Sequence, residues 1–358
     1  MFEVKSNPQL NKESFVFNEN GKYPYFTRTI FNNGIFGYVN YLDDEHRIDG
    51  NCLAVGMMAM KFFYMNKDFY AGQFTKRIIA LNFELNEKIA NFLITILNKK
   101  QDIFKNVLVR DFEKTFNKEI IQLPTKNNKI DFDFIENFID ELEKAKINQI
   151  KEYLKQNNLD NYNLTKKEKE ILEKFKKEEV EWEEFEIGEL FEKIKFKKLN
   201  YKTSELPNEP NKIYSLPVLT AGIENQGLNN FVPRDEATIL KNVISISANG
   251  ANTGVTFYQS KEFTILQDAY SIDFKNKDKN LNDNHYLFFT TAILKSIYGN
   301  YDYTNKAGWE KVKKERIQLP INNDEIDFDF MKNLISAIQK SVIKKVVLYV
   351  NKKIKNEL

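Results

Sequence analysis

Side chains that commonly carry catalysis are scarce in this sequence. Among 358 residues there are two histidines, His46 and His285, and no cysteine and histidine cluster has the spacing of a zinc site. The single cysteine, Cys52, lies in an apolar run, which excludes an internal disulfide and predicts a small buried side chain instead of a nucleophile. We therefore expect an intracellular chain that holds no metal ion.

Motifs for nucleotide and methyl-group chemistry are also absent. There is no phosphate-cradling glycine loop, no nucleophile elbow and no GxGxxG after a strand, and the Asn-Pro-Pro-aromatic and Phe-x-Gly-x-Gly motifs of amino-methyltransferases are missing. The glycines of residues 250–254 are interpreted as a tight turn between ISISA and VTFY. Acidic pairs such as Asp131 with Asp133 are interpreted as helix-capping residues and not as a nuclease metal site. The sequence thus predicts no catalysis by this chain alone.

Long hydrophobic runs and an excess of charge of one sign are lacking too. No run of about 18 apolar residues occurs, and residues 1–30 have no signal-peptide core, which predicts a cytoplasmic protein that does not enter a membrane. Fifty-three Lys and Arg against 51 Asp and Glu give a net charge of +2, so a polyanion would have to bind to local patches. The hydrophobic content of 42% is sufficient for two domains of ordinary size.

One stretch of the sequence is present twice. IQLPTKNNKIDFDF begins at Ile121 and IQLPINNDEIDFDF begins at Ile317, an offset of 196 residues. In each copy we expect Gln-Leu-Pro to end a strand, because proline cannot donate to a sheet, and an aspartate to cap the helix that follows. Two copies half a chain apart predict two related domains and not a solenoid.

The caps can be narrowed to a few aspartates. They are Asp131 or Asp133 in the first copy and Asp327 or Asp329 in the second. Asp133 with Glu136 has the spacing of a capping box, and so has Thr165 with Glu168, which predicts a further helix between the copies.

Each copy leads into a long helix with an apolar stripe. The stripe positions match at the same offset: Phe134/Phe330, Phe138/Leu334, Ile139/Ile335, Leu142/Ile338, Ile147/Ile343, Ile150/Val346 and Leu154/Val350. Their spacing of three and four residues places them on one helix face. A stripe on a helix of about 25 residues, about 37 Å long, needs a long partner. We therefore predict that the two helices pair with each other, antiparallel.

The repeat predicts an α+β fold with four segments. These are a first domain at 1–127, a central helical region at 128–180, a second domain at 181–323 and a C-terminal helical region at 324–358. Anchors shared by the domains drift in offset from 189, at Phe2 and Phe191, to 194, at Gln73 and Gln267, which indicates small insertions in loops. Between the anchors the domains differ almost completely. WEEFEIGEL, which starts at Trp182, introduces the second domain and has no counterpart before the first.

These features carry a resemblance to a known family. The duplicated frame, LPVLTAGIENQG at 216–227 and GWEKVKKERIQLP at 308–320 resemble the specificity subunit of Type I restriction-modification systems and of related Type IIB and Type IIG enzymes. DFYAGQFTK at 68–76 resembles target-recognition domains of the fused Type IIG kind. The resemblance implies two target-recognition domains that each read half of a bipartite DNA target. It also implies an antiparallel coiled coil with pseudo-two-fold symmetry that binds methyltransferase subunits.

The partners follow from the same resemblance. They are double-stranded DNA and a DNA methyltransferase subunit, and a restriction subunit is left open. The cofactor S-adenosylmethionine is expected on the methyltransferase and no cofactor on this chain. Because the segment equivalent to WEEFEIGEL is missing before Met1, a split-off part of a fused Type IIG enzyme is an alternative.

Reading bases requires planar amide and guanidinium groups on loops. The variable loops supply a set of candidate DNA-binding residues: Arg28, Asn32, Asn33, Lys76 and Arg77 in the first domain, and Gln226, Asn229, Asn230, Arg234, Asn249, Asn252, Tyr303, Asn305, Lys306 and Lys311 in the second. Each is also explained by an ordinary turn, above all the Asn-Asn-Gly at 32–34. Trp309 either stacks on a base or closes the core.

Two other classes of function stay open. A coiled-coil scaffold that binds proteins would be indifferent to salt, whereas DNA affinity falls steeply as salt rises. An enzyme with an unrecognised site would turn over DNA in the presence of magnesium.

Overall fold

The structure, a computed structural model, describes residues 1–107 and 109–355. It divides into two compact units, unit 1 from Met1 to Ile150 and unit 2 from Lys151 onward. Each unit contains both helices and strands, as the sequence predicts. None of the helices in the described part of the chain is apolar over a length that would cross a bilayer.

Unit 1 is built from two small sheets and a group of helices. Its elements are β1 (Phe2–Ser6), β2 (Tyr23–Phe26), β3 (Ile35–Val39), β4 (Cys52–Gly56), β5 (Lys61–Met65), β6 (Tyr70–Ala71), β7 (Thr75–Ala80), α1 (Glu87–Lys99), α2 (Gln101–Lys105), α3 (Phe112–Phe116), β8 (Thr125–Lys126), β9 (Lys129–Ile130) and the long α4 (Phe132–Gln156). One sheet has the order β1-β7-β4-β5, the other β3-β2-β6, and β8 and β9 form a hairpin. All pairs are antiparallel except β2 with β6.

Strand β4 is buried on both faces. Leu53 and Val55 lie in the core formed with α1, α2 and α3, whereas Cys52 and Ala54 lie in a second core with Phe26 of the other sheet. Alternate residues of a strand face opposite sides. A strand covered on both sides therefore reads as an unbroken apolar run, which is why the sequence CLAVG shows no alternation.

Unit 2 repeats this arrangement and adds elements in front of it. Its elements are α5 (Lys166–Lys176), β10 (Trp182–Glu186), α6 (Ile187–Leu190), β11 (Phe191–Lys193), β12 (Tyr214–Leu219), β13 (Leu228–Pro233), β14 (Val243–Ser247), β15 (Thr256–Gln259), β16 (Thr264–Ile265), β17 (Ala269–Phe274), α7 (Asp283–Ile297), α8 (Trp309–Val312), β18 (Arg316–Asn322), β19 (Glu325–Ile326) and α9 (Phe328–Lys355). The sheets β11-β17-β14-β15 and β13-β12-β16 have the topology found in unit 1. The predicted duplication is thus present in the fold, and unit 2 has a third sheet, β10-β18-β19.

The structure shows which of the candidate aspartates caps each long helix. Asp131 Oδ1 accepts a hydrogen bond from the Phe134 amide at 2.9 Å. Asp327 Oδ1 accepts one from the Phe330 amide at 2.8 Å. The predicted capping box of Asp133 is wrong because α4 already begins at Phe132, and Glu136 instead accepts a bond from the Asn86 side chain at 2.6 Å.

The other predicted capping box is confirmed, because the Thr165 and Glu168 side chains each bond the other's backbone at the start of α5. Gln-Leu-Pro does not end the strand in unit 2, since β18 continues through Pro320 to Asn322. The neighbouring amide of Ile321 donates to the Glu181 carbonyl at 3.0 Å, so alternation directs position 320 away from β10. Proline is tolerated there because its missing N–H is not needed for the ladder with β10, and on its other side the Pro320 carbonyl accepts the Asp327 amide at 2.8 Å.

Within unit 2 the first half of α9 packs against α5 and α7. Met331, Leu334 and Ala337 are buried in this contact. Glu168 of α5 accepts hydrogen bonds from Ser336 Oγ at 2.6 Å and Lys340 Nζ at 2.8 Å. Burial alone would raise the pKa of Glu168, but these bonds and the Thr165 amide lower it to about 2.

The predicted apolar stripe is only partly buried. Leu142 on α4 and Ile338 on α9 keep 46% and 39% of their surfaces exposed, whereas Ile147 and Leu154 are buried. The predicted pairing of the two long helices stays a prediction.

Candidate nucleic-acid interface

Four loops of unit 2 meet at the ends of its strands. They are residues 220–227, 248–254, 266–268 and 302–307, here called loop cluster 2. The Leu266 amide donates to the Leu219 carbonyl at 3.0 Å, and the Ala248 amide to the Asp268 carbonyl at 2.8 Å. The Ala307 amide donates to Thr253 Oγ1 at 3.2 Å. The loops are therefore held together mainly by backbone groups, with Thr253 as one side-chain contributor, which leaves most of their other side chains free to vary.

Unit 1 assembles three loops in the same way. They are residues 27–34, 57–60 and 72–74, here called loop cluster 1. The Gly72 amide donates to the Phe26 carbonyl and the Met57 amide to the Phe74 carbonyl, both at 2.9 Å, as their counterparts do in unit 2. The backbone frame of the two clusters is thus the same although their sequences differ.

The first loop of each cluster contains a left-handed turn. Asn32, Asn33 and Gly34 have φ angles of 47°, 54° and 80°, and residues 225–227 repeat this with 47°, 58° and 82°. Glycine is required at the third position, because a Cβ on Gly34 would lie 2.2 Å from the Phe26 ring. The turn interpretation of Asn-Asn-Gly is correct, and Asn32 donates its side-chain amide to the Ile35 carbonyl at 3.1 Å. Asn33 and Gln226 remain exposed at the tips of the two turns.

Loop cluster 1 combines a cation with exposed apolar side chains. The Arg28 guanidinium lies 5.5 Å from the centre of the Phe74 ring, and its Nη1 lies 3.3 Å from Met58 Sδ. Met58 and Phe74 are 70% and 48% exposed, respectively. Beside them an open cavity of about 230 Å³ is lined in part by Arg28, Lys12 and Gln73.

Loop cluster 2 is more polar at the equivalent place. Asn249 donates to the Asp268 carboxylate at 2.9 Å, where unit 1 has Met58 and Phe74. In the loop 302–307 the side chain of Asp302 accepts bonds from the hydroxyl of Thr304 and from the amides of Thr304 and Asn305, all at 2.7 Å, and these lower its pKa.

Asp302 thereby fixes the loop that carries Tyr303, Asn305 and Lys306. Tyr303 is 74% exposed. Lys311, at the edge of the same loop, donates to Asn305 Oδ1 at 2.6 Å. This corner of loop cluster 2 therefore presents an exposed ring and two ammonium groups on a restrained backbone.

The predicted residues divide between the clusters and other places. Within or beside the clusters lie Arg28, Asn32, Asn33, Gln226, Asn229, Asn249, Asn252, Tyr303, Asn305, Lys306 and Lys311. Asn229 accepts a bond from the Asn225 side chain at 3.0 Å. Asn252 is half-buried in the turn 249–254. The structure therefore brings most of the predicted set to the two loop clusters, and the turns 32–34 and 225–227 occupy equivalent places in the two units.

Four predicted residues lie elsewhere. Asn230 is 4% exposed, and its amide donates to the Leu206 carbonyl at 3.2 Å and to Asn208 Oδ1 at 2.7 Å, so it holds a loop in place. Arg234 follows the far end of β13 and pairs with Glu262 at 2.6 Å. Lys76 and Arg77 belong to β7, and Lys76 donates to Ser6 Oγ at 3.0 Å. The sequence pattern alone does not distinguish these residues from residues at the loop tips, because it does not show which end of a strand lies beside the loop cluster.

Sequence reasoning missed two glutamines of the clusters. Gln73 and Gln267 occupy equivalent exposed positions in the loops 72–74 and 266–268. Gln73 donates to Asn11 Oδ1 at 3.0 Å. The signal was present, since an exposed amide kept in both copies among divergent loops needs an explanation other than packing. Met58 and Phe74 were missed because, from the sequence alone, an apolar side chain is expected to lie in the core.

Two further predictions concern chemistry. Cys52 is 2% exposed, and burial raises the pKa of its thiol to about 12, which confirms a buried side chain that is unsuited to act as a nucleophile. Trp309 is half-buried with its ring 6.2 Å from that of Tyr270, so it closes the core. Among residues 1–107 and 109–355 no three His, Cys, Asp or Glu side chains are placed to hold a metal ion.

Comparison with known proteins adds to this geometry. A family model described as Type I restriction modification DNA specificity domain matches residues 1–152 and 179–348. The chain is 22% identical over 350 residues to the specificity subunit of the Type II restriction enzyme BgcI from Heyndrickxia coagulans, which covers 96% of this chain and 93% of that protein. The crystal structure of a Type I restriction-modification system S subunit from M. genitalium is 18% identical and superposes with a TM-score of 0.54, covering 99% of this chain and 90% of the other. That similarity supports the same fold.

Proposed function

Since the chain belongs to the family of Type I restriction modification DNA specificity domains and is a specificity subunit of a restriction-modification system, we propose that each loop cluster reads one half of a bipartite DNA target. One observation carries the proposal. The two clusters are assembled by the same backbone hydrogen bonds, yet present different side chains at equivalent places. This is the arrangement expected of two readers of one design that recognise different sequences.

The chemistry of the clusters suits base recognition. Exposed amides such as Gln73 and Gln267 can pair with adenine through two hydrogen bonds, and Arg28 can pair with guanine. Lys306 and Lys311 supply charge for phosphates, which would fix the register of the duplex while the amides read its edges. Because the chain's net charge is only +2, binding would depend on these local cations.

We also propose where a methyltransferase subunit docks. Phe134, Phe138 and Leu142 of α4 are 52%, 47% and 46% exposed, and Val342 of α9 is 70% exposed. Apolar side chains at helical spacing with this exposure suit a partner helix. The cofactor S-adenosylmethionine and the chemistry would then belong to that partner, to which a restriction subunit is added.

The substitution Gln267→Ala tests base reading. In complex with the modification subunit, we expect affinity for the cognate site to fall roughly 5- to 150-fold, because one bidentate pair contributes about 1–3 kcal/mol of discrimination. Methylation should become less selective at one half-site. The matched control Gln318→Ala removes an exposed glutamine of β18, outside loop cluster 2, and should leave both measurements unchanged.

The outcomes separate the candidate functions. Relaxation at both half-sites, or none in either variant, would contradict the assignment of loop cluster 2 to one half. A salt series on the wild-type complex adds an independent check, because the logarithm of the DNA-binding constant falls linearly with the logarithm of salt concentration. Binding of proteins that is indifferent to salt, with no DNA retained, would favour a scaffold instead.

A further inference from the structure

The two units differ at one edge of the repeated segment. In unit 2, β18 pairs along its length with β10, from Trp182 opposite Pro320 to Glu186 opposite Arg316. The equivalent segment of unit 1 is residues 120–126. There only Thr125 and Lys126 are paired, in the β8 and β9 hairpin, and no strand of the described residues lies along 120–124.

Burial follows this difference. Ile317 and Leu319, on the side of β18 that faces the core of unit 2, are 1% and 0% exposed. Their counterparts Ile121 and Leu123 are each only partly buried, although they contribute to the core of unit 1. The next residue toward the N-terminus, Ile120, is 82% exposed. Apolar side chains that one copy of the repeat buries are therefore left partly open in the other.

The hydrogen-bonding direction of the open edge can be derived from unit 2. The Ile321 amide donates to the Glu181 carbonyl at 3.0 Å, and the Ile187 amide to the Glu315 carbonyl at 2.9 Å. Because bonded and non-bonded pairs alternate in an antiparallel ladder, positions 317 and 319 also face β10. Residues 120–124 form no strand on their own; in the extended conformation of their counterparts, the backbone groups of Ile121 and Leu123 would point toward the open edge. In the described part of the chain nothing pairs with them, and such an edge is a template for another strand.

We propose that residues 120–124 of unit 1 are a docking site for an extended strand of a partner protein, added antiparallel in the register of β10. A second copy of this chain does not fit the role, because its segment of this pattern, Trp182–Glu186, is already paired with β18. The proposal concerns assembly with a protein and does not rest on the reading of DNA.

The repeat also predicts the side chains of the partner strand. In unit 2 Phe185 lies opposite Ile317 and packs against the core, so the partner carries an apolar residue opposite Ile121. Trp182 stacks on Phe288, with ring centres 6.3 Å apart and an interplanar angle of 16°. The counterpart of Phe288 at the offset of 196 is Phe92, which is partly exposed and receives an aromatic residue of the partner.

One position sets a difference in specificity. Arg316 of β18 lies 3.7 Å from Glu184 and 4.0 Å from Glu186 of β10. Its counterpart is Ile120, which offers no charge. The partner strand of unit 1 therefore carries apolar residues where β10 carries these two glutamates.

Synthetic peptides test the register and this specificity. We would measure binding to the full chain of a labelled peptide of residues 182–190 and of the same peptide with Glu184→Val and Glu186→Val. The valine peptide should bind more tightly. N-methylation of the peptide amide at the Phe185 position should weaken it about tenfold, because that amide pairs with the edge. N-methylation at the neighbouring position, whose amide points away, should have little effect.

A protein variant supplies the matched test. Ile120→Arg restores the charge found at Arg316, so it should reverse the preference toward the acidic peptide. Ile213→Arg, at an isoleucine that is 67% exposed and far along the chain from this edge, should leave the preference unchanged.

Three results would overturn the proposal. The first is that neither peptide binds to the chain. The second is that N-methylation weakens binding equally at the Phe185 position and at its neighbour. The third is that Ile120→Arg does not reverse the preference for the valine peptide over the acidic one. Amide exchange provides a further check, since the Ile121 and Leu123 amides should exchange rapidly in the chain alone and slowly with the valine peptide. Slow exchange in the chain alone would mean that the edge is already covered. DNA affinity of the Ile120→Arg variant should equal that of the wild type, so this result is separable from base reading.

Discussion

The polar loop residues differ in how many of their hydrogen-bonding groups are already used within the unit. Asn230 and Asn249 donate to neighbouring loops, so their side chains hold the frame. Gln267 and Asn33 are exposed at positions that the frame holds fixed. Because the backbone of such a residue is already restrained, ordering it on a base costs only the rotamer entropy of the side chain, about 0.5–1.5 kcal/mol. We therefore expect specificity to reside in the second kind of residue.

A single aspartate fixes the start of α4. Asp131→Ala removes the acceptor for the Phe134 amide, whereas Asp133 lies two residues later, inside the helix that begins at Phe132. We expect Asp131→Ala to lower the free energy of unfolding of unit 1 by about 1 kcal/mol. Asp133→Ala serves as the control and should change it by much less. Urea denaturation of both variants measures the difference, and equal losses would contradict this assignment of the cap.

For single residues, the sequence predicts which polar side chains lie near loops better than it predicts what each side chain binds. It places Asn32, Asn33 and Gln226 in turns correctly, since turns recruit such residues wherever the backbone needs a positive φ, but Asn229 and Asn230 lie in β13. It does not show that Asn230 points inward, because that depends on Leu206 and Asn208, which are distant in sequence. The sequence around a polar residue does not show that the residue will be buried and hydrogen-bonded to a carbonyl far away in the chain.

Between elements, one buried carboxylate holds α5 against α9. Glu168 is 4% exposed, and its partners Ser336 and Lys340 lie about half the chain away in sequence. Those hydrogen bonds lower its folded pKa from 4.5 to about 2, and the unfolded chain keeps the ordinary value. The resulting stability is present above pH 4.5 and is lost as the pH falls toward 2.

Glu168→Gln should therefore destabilise unit 2 by about 2–3 kcal/mol at pH 7. The gap between wild type and variant should narrow as the pH is lowered from 4.5, because the wild-type carboxylate becomes protonated. Glu170→Gln, on the same helix but exposed, is the control and should show neither effect. Thermal unfolding across this pH range measures the gap, and a constant difference would argue against an ionised Glu168.

The elements themselves were largely predictable. Helix α1 was expected over Glu87 to Leu97 and ends at Lys99, and the long helices begin within a residue or two of the expected aspartates. The strand containing Pro320 was expected to stop at the proline and instead continues to Asn322. Sequence alone does not reveal which strand a given backbone amide faces, and that decides whether proline is tolerated at the position.

At the scale of the whole molecule, duplication was visible in the sequence because its anchors keep a nearly constant offset. Strand order was not predicted, since no rule of composition gives β1-β7-β4-β5. The loop clusters depend on the order of both sheets of a unit, because β2 lies beside β6 in one sheet and β4 lies beside β7 in the other. The positions of the candidate residues were therefore predictable from sequence, whereas their grouping required the fold.

Recognition should be modular because each loop cluster is assembled by bonds within its own unit. Replacing residues 182–321 by the equivalent part of a relative with different loops should change one half of the methylated target and keep the other. Genome-wide mapping of methylated positions reads both halves at once. Replacement of residues 1–119 in a second chimera is the reciprocal control. A change of both halves in either chimera would show that the units do not read DNA independently.

The shared Ile-Gln-Leu-Pro also has a consequence for the nascent chain. Strand β10 leaves the ribosome about 130 residues before its partner β18, an interval on the order of ten seconds. During that interval the first copy of Ile-Gln-Leu-Pro is already synthesised and offers β10 a premature partner. Ile120 cannot satisfy Glu184 and Glu186, whereas Arg316 does so when it arrives. The charge difference between two otherwise similar edges would thus disfavour a premature pairing of β10 with the first copy while β18 has not yet been made.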